Sequence, residues 1–213
     1  GRDAGVQLYG GFIKRDGYSI INYEVGVFNG TGINAKDNNK SKDVAARLTI
    51  QPMKDLKIAA YYMGGETNAT SLIGKYPGMV AEASNVNTSY LDYNRYGGGV
   101  DYENKYIFAR AEYLGGQTGD YLSSGLYAQV GYKFLEKCTV GVRYSYFDEN
   151  INGDSPTPVQ TNYSVALSYF PWKNLRLQAE YTRQNYDNLP NVVASSDFKR
   201  GENCLYFMIS AIF

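Results

Sequence analysis

Apolar and polar residues alternate with period two in eleven separate runs along this chain. That alternation marks β-strands with one apolar and one polar face, because successive side chains of a strand point to opposite sides. The runs are Gly5 to Phe12, Ile20 to Phe28, Asp43 to Gln51, Leu56 to Met63, Tyr93 to Glu103, Tyr106 to Leu114, Gly125 to Phe134, Cys138 to Phe147, Thr161 to Phe170, Leu175 to Arg183 and Cys204 to Phe213. The eighth shows the pattern plainly: Val140, Val142, Tyr144 and Tyr146 stand opposite Gly141, Arg143 and Ser145. The chain is therefore read as all-β, one domain over residues 1–213.

The connections sharpen the reading. Short ones (Ile13–Ser19, Pro52–Asp55, Asn104–Lys105, Leu135–Lys137, Pro171–Asn174) alternate without exception with long ones (Asn29–Lys42, Gly64–Asp92, Gly115–Ser124, Asp148–Gln160, Gln184–Asn203). Tight turns at one rim and long polar loops at the other are the pattern of antiparallel up-and-down transmembrane β-barrels. A soluble sandwich is the competing fold, but its inner faces rarely leave so many charges opposite the apolar face. Here Arg47, Lys57, Arg95, Arg110, Lys133, Arg143 and Arg176 share the polar face with Glu24, Asp43, Asp101, Glu112 and Glu180. An interior lined by them would be wet. The mean hydropathy of −0.41 is no objection, since only every second barrel residue meets lipid. No stretch approaches the length of a transmembrane helix. The expected place is thus the bacterial outer membrane, among its lipids.

The seven bases and five acids allow two readings. One is a lumen whose charged rings favour small anions as solutes. The other is a cross-strand ion-pair lattice that only stiffens the wall. Aromatic residues cluster near strand ends on the apolar face: Tyr62, Tyr96, Tyr102, Tyr113, Tyr132, Phe134, Tyr144, Tyr146, Tyr169, Trp172 and Phe213. That face favours interfacial girdles over a sugar-binding slide in the lumen. A terminal aromatic strand closing on Phe213 resembles the signal read by barrel-assembly machinery, a further expected partner.

Other chemistry is weakly represented. The chain has no His, the usual base of barrel hydrolases, so an enzyme is not expected. No Cys/His cluster offers a metal site, and no cofactor is called for. The stretch Asp37–Asp43 lacks the Gly and terminal Glu of an EF-hand and reads as a solvated loop. Gly97-Gly98-Gly99 is followed by no Lys-Ser/Thr and is no phosphate loop. With 21 basic and 21 acidic residues, nothing points to a nucleic-acid partner. Cys138 opens a strand at the short-turn rim and Cys204 one at the opposite rim, on the order of 20 Å away, so two free thiols are expected.

Three segments resemble a known family. Arg2-Asp3-Ala4-Gly5-Val6-Gln7-Leu8, Tyr23-Glu24-Val25-Gly26-Val27-Phe28-Asn29-Gly30, and Lys42-Asp43-Val44-Ala45-Ala46-Arg47-Leu48 followed by Pro52 are similar to segments of the phosphate-selective porin O and P family. The likeness covers about the first sixty residues. It implies sixteen strands per subunit, homo-trimers, and anion uptake through a basic constriction. Eleven strands here would be the C-terminal part of sixteen. That fits the odd strand number and a first strand counted as starting outside the cell, where bacterial barrels have even numbers. The family's arginine ladder and lysine cluster do not map position by position. The functional expectation is a porin for passive diffusion of small hydrophilic solutes, anion- or phosphate-preferring. The alternatives are a structural or adhesive barrel that binds a partner through its long loops, and a barrel enzyme or receptor whose active part lies elsewhere.

Overall fold

The computed structural model describes residues 3–30, 41–68, 90–119, 121–149, 151, 159–187 and 201–211. Among them are eleven strands and no helix. They are β1 (Gly5–Arg15), β2 (Tyr18–Phe28), β3 (Asp43–Met53), β4 (Leu56–Asn68), β5 (Tyr90–Glu103), β6 (Ile107–Thr118), β7 (Tyr121–Phe134), β8 (Cys138–Asp148), β9 (Val159–Trp172), β10 (Leu175–Asp187) and β11 (Gly201–Ala211). They form one sheet in strict chain order, every neighbouring pair antiparallel. Within the described residues β1 pairs only with β2, and β11 only with β10.

Local chemistry sets the turns. Asp16 and Gly17 both take positive φ (47° and 86°), the geometry of a type I′ hairpin whose twist matches its strands. Pro52 and Pro171 lie where the registers of β3–β4 and β9–β10 shift, because proline has no N–H to give the ladder. The β7–β8 turn puts Leu135 and Glu136 at positive φ, a costly place for side-chain-bearing residues.

One expected loop is a strand. The sequence places Gly115–Ser124 in a long connection, yet Gly115 pairs with Ser124, Gly116 with Ser123, Gln117 with Leu122 and Thr118 with Tyr121. Only residues 119 and 120 join β6 to β7, so short and long connections do not alternate without exception. Gly115 and Gly116 are packing positions in these strands. A Cβ at Gly115 would stand 2.5 Å from the Tyr96 ring, and one at Gly116 3.0 Å from Ser123 Oγ. Other strands also outrun their sequence limits. The β4–β5 hairpin, for instance, continues through Gly65↔Tyr93 to Asn68↔Tyr90.

A single sheet has no interior of its own. No described side chain is fully buried, and large apolar groups stand open on one face. Val130, Val142 and Val165, about half exposed, are direct cross-strand partners on β7, β8 and β9. A continuous apolar band of this kind needs an apolar solvent.

Candidate functional site

The registers carry the sequence parity across the sheet. Glu24 pairs with Arg47, Arg47 with Tyr61, Lys57 with Asp101, Asp101 with Arg110, and Arg110 with Gln129. Gln129 in turn pairs with Arg143, and Arg143 with Ser164. Arg47, Lys57, Arg95, Arg110, Glu112, Lys133, Arg143, Arg176 and Glu180 therefore all stand on the polar face. Residues from β5 to β10 line one recess of about 440 Å³ on it, so this is the concave face.

The two readings of these charges divide by position. Arg110 belongs to a lattice: its Nε lies 2.9 Å from Asp101 Oδ1 and its Nη2 2.5 Å from Glu103 Oε2. Lys133 Nζ holds the other Glu103 oxygen at 2.6 Å. Arg47, Lys57 and Arg143 make no hydrogen bond or ion pair among the described residues. Arg143 instead lies over the Tyr127 ring, 4.6 Å from its centroid. Among the described residues Arg95 donates only to neutral oxygens, the carbonyls of Asn94 and Gln117 and the Thr118 hydroxyl. Arg176 has Ser210 Oγ at 3.5 Å and Met208 Sδ at 3.7 Å.

The acids are more fully engaged with neutral donors. Glu112 accepts from the Tyr61 hydroxyl at 2.5 Å, and Glu180 from Gln178 Nε2 and Thr182 Oγ1. Asp43, buried at the β3 start, accepts from the Tyr93 hydroxyl, so this last residue of the Asp37–Asp43 stretch ties β3 to β5. Residues 37–40 lie outside the described residues. The recess at Arg110 holds four cations (Arg110, Lys133, Arg143, Arg176) against Glu103 and Glu180. A second, of about 260 Å³, holds Arg47, Lys57 and Arg110 against Asp101 and Glu112. In both the polar face carries more positive than negative groups.

Residues absent from the charge reading matter as much. Glu103, the hub of the lattice, is the last residue of β5 and stands outside the five mid-strand acids of the sequence pattern. Tyr61, Phe108 and Tyr127 share the polar face with Lys57, Arg110 and Lys133, and parity alone could have placed them. Aromatic rings there lie across glycines: Tyr61 over Gly97, and Phe108 over Gly131 and Gly141.

On the other face, Tyr102, Tyr132, Phe134 and Tyr169 lie toward the short-turn rim, with the Tyr132 and Phe134 rings stacked at 6.3 Å. Trp172, 69% exposed, stands at the β9–β10 turn opposite Leu175. Tyr62 and Tyr144 sit further up. Tyr62 pairs with Tyr96 and donates to Asn94 Oδ1 at 2.6 Å, and Tyr144 meets Tyr163 at 5.3 Å. Phe213 lies outside the described residues. Cys138 pairs with Tyr169 on the apolar face and Cys204 with Thr182 on the polar face, and both are free thiols.

No family model and no curated protein matches the chain. Solved structures do. A loop-deleted OmpT, an outer membrane protein of Vibrio cholerae, superposes with a TM-score of 0.58 at 16% identity, over 99% of this chain and 62% of its own. An in-vitro folded trimer form of OmpT gives 0.57 at 14%, over 87% and 55%. A mutant of TodX, a monoaromatic hydrocarbon channel, gives 0.52 at 13%, over 98% and 73%. The chain thus spans little more than half the length of the OmpT structures it matches. With its apolar belt and charged concave face, it has the fold of a bacterial outer-membrane β-barrel and is built for that membrane.

Proposed function

We propose that the concave face lines a passive diffusion path for small hydrophilic solutes across the outer membrane, a porin-type channel that prefers anions. One observation carries this: Arg47, Lys57 and Arg143 stand on the concave face and make no hydrogen bond or ion pair among the described residues, although Glu24 and Asp101 lie opposite Arg47 and Lys57. A wall that served only as a scaffold would gain nothing from charges left unmatched, whereas a path for anions needs them. Phosphate is the finer assignment, supported by the resemblance of the segments at Arg2–Leu8, Tyr23–Gly30 and Lys42–Leu48. In this reading the eleven strands are one domain within a barrel of sixteen, so that β1 and β11 meet further strands. The barrels assemble as trimers, an arrangement also named for one OmpT structure. The role is passage and not catalysis, in keeping with a chain without His.

The test is single-channel conductance of the full-length protein in a planar bilayer under a salt gradient. Large open steps with an anion-biased reversal potential support the proposal. An absence of conductance from folded, heat-modifiable protein overturns it.

A further inference from the structure

One of the unmatched arginines has an unmatched acid beside it. Glu24 on β2 and Arg47 on β3 are direct cross-strand partners, so their side chains leave the concave face about 5 Å apart. Both are exposed, and neither makes a hydrogen bond or ion pair among the described residues. The next row of the same face lies about 7 Å toward the long-loop rim. It is Gly26, Ala45 and Met63, each the direct partner of the next. It carries no charge before Arg95 on β5, whose guanidinium is already held by Asn94, Gln117 and Thr118.

That second row is a hollow. Gly26 and Ala45 offer almost no side chain, so strand backbone floors a recess of about 360 Å³. Phe28 bounds it at the long-loop end. Its ring lies back over Gly26, where a Cβ would stand 2.5 Å from a ring carbon, so only glycine leaves the room. Tyr61, the partner of Arg47, and Met63 form the wall on β4. Glu24 and Arg47 stand in the same lining at the short-turn end. One free acid, one free base and one apolar hollow thus share two adjacent rows of three neighbouring strands. A guanidinium donates two parallel hydrogen bonds to a carboxylate, and a carboxylate accepts from an ammonium. An α-amino acid carries both charges on one carbon, from which its side chain departs.

We propose that this recess is a solute subsite for zwitterionic α-amino acids with apolar side chains. Arg47 binds the carboxylate, Glu24 the ammonium, and the hollow over Gly26 and Ala45 takes the side chain. It rests on the reading of the concave face as a solute path, and it names a class of solute that lingers there. An inorganic anion would meet Arg47 but be repelled by Glu24. A hydrocarbon would fill the hollow and leave both charges unpaired.

The test is calorimetric titration of the folded full-length protein in detergent with L-leucine, glycine, sodium isocaproate and isoamylamine. These keep, in turn, all three features, the two charges alone, the carboxylate with the chain, and the ammonium with the chain. The titration reads binding directly, so it stands or falls separately from bilayer conductance. Leucine is expected to bind about tenfold or more tightly than each of the other three. Glu24→Gln and Arg47→Gln should each lose about tenfold in leucine affinity, and Arg47→Lys should fall between, since it keeps the charge without the fork. Glu24→Gln should at the same time strengthen isocaproate, because the repelling carboxylate is gone. Ala45→Leu, which fills the hollow, should weaken leucine more than glycine. Heat-modifiable migration checks that each variant is folded. Equal binding of leucine and glycine, or of leucine and isocaproate, overturns the proposal. So does leucine affinity that survives Glu24→Gln or Arg47→Gln, or no leucine binding at all.

Discussion

The Tyr61 hydroxyl donates to Glu112 Oε1 at 2.5 Å, reaching from β4 across β5 to β6. The bond skips a whole strand because β5 offers Gly97 and Gly99 beneath it. A Cβ at Gly97 would stand 2.5 Å from both the Tyr61 hydroxyl and the Tyr113 carbonyl oxygen. The carbonyl is backbone and cannot step aside. Gly97→Val should therefore cost about 1–3 kcal/mol of stability. Gly98→Ala on the apolar face, where the one close neighbour is the Ala59 carbonyl at 3.2 Å, should cost less. Urea unfolding in detergent, followed by loss of heat-modifiable migration, checks the order. Equal losses at the two positions would remove the special role given to Gly97.

The two faces of β8 should respond in opposite ways to charge. Val142 is flanked by Val130 and Val165 on the apolar face. Val142→Arg is expected to destabilise the barrel by about 2–4 kcal/mol if this belt meets lipid. Arg143→Val, one residue on, should leave stability little changed and move the reversal potential toward cations. Folding titrations into lipid vesicles and bilayer recordings measure the pair. A Val142→Arg variant as stable as the parent would argue against the lipid-facing belt.

The cysteines give a labelling test of the same geometry. Cys204 stands on the polar face and Cys138 on the apolar face beside Tyr169. A charged, membrane-impermeant thiol reagent should modify Cys204 in the reconstituted protein and spare Cys138. Mass spectrometry of the two peptides reads the outcome, and preferential modification of Cys138 would reverse the assignment of faces.

Backbone strain supplies a stabilising change. Leu135 sits in the β7–β8 turn at φ 52° with its side chain 80% exposed, so it packs against little. Leu135→Gly should relieve the left-handed conformation and stabilise the barrel by about 1 kcal/mol. A raised midpoint in thermal unfolding monitored by gel mobility is the expected reading.

Much of this architecture was legible in the residues alone. Period two in Val140, Val142 and Tyr144 against Gly141 and Arg143 needs no partner strand to be visible, because it follows from the geometry of a single extended chain. The faces of the strand charges from Glu24 to Glu180, the all-β class and the separation of the two cysteines come from that parity. The β6–β7 hairpin was not legible. Gly115 and Gly116 read as a loop because a glycine's worth in a strand depends on which neighbour lies across it, here Tyr96 and Ser123.

The sheet register alone decides which charges are matched. Arg47, Arg110 and Arg143 are equivalent in the sequence, each mid-strand on the polar side. Glu103 reaches Arg110 and Lys133 because β5, β6 and β7 hydrogen-bond in one particular stagger. The same stagger places Tyr127 against Arg143, which makes no ion pair among the described residues. Parity is a property of one strand and can be read in order along the chain. Pairing is a property of several strands at once, set by turn lengths, bulges at Pro52 and Pro171 and glycines that let rings lie flat, and only the assembled sheet contains it.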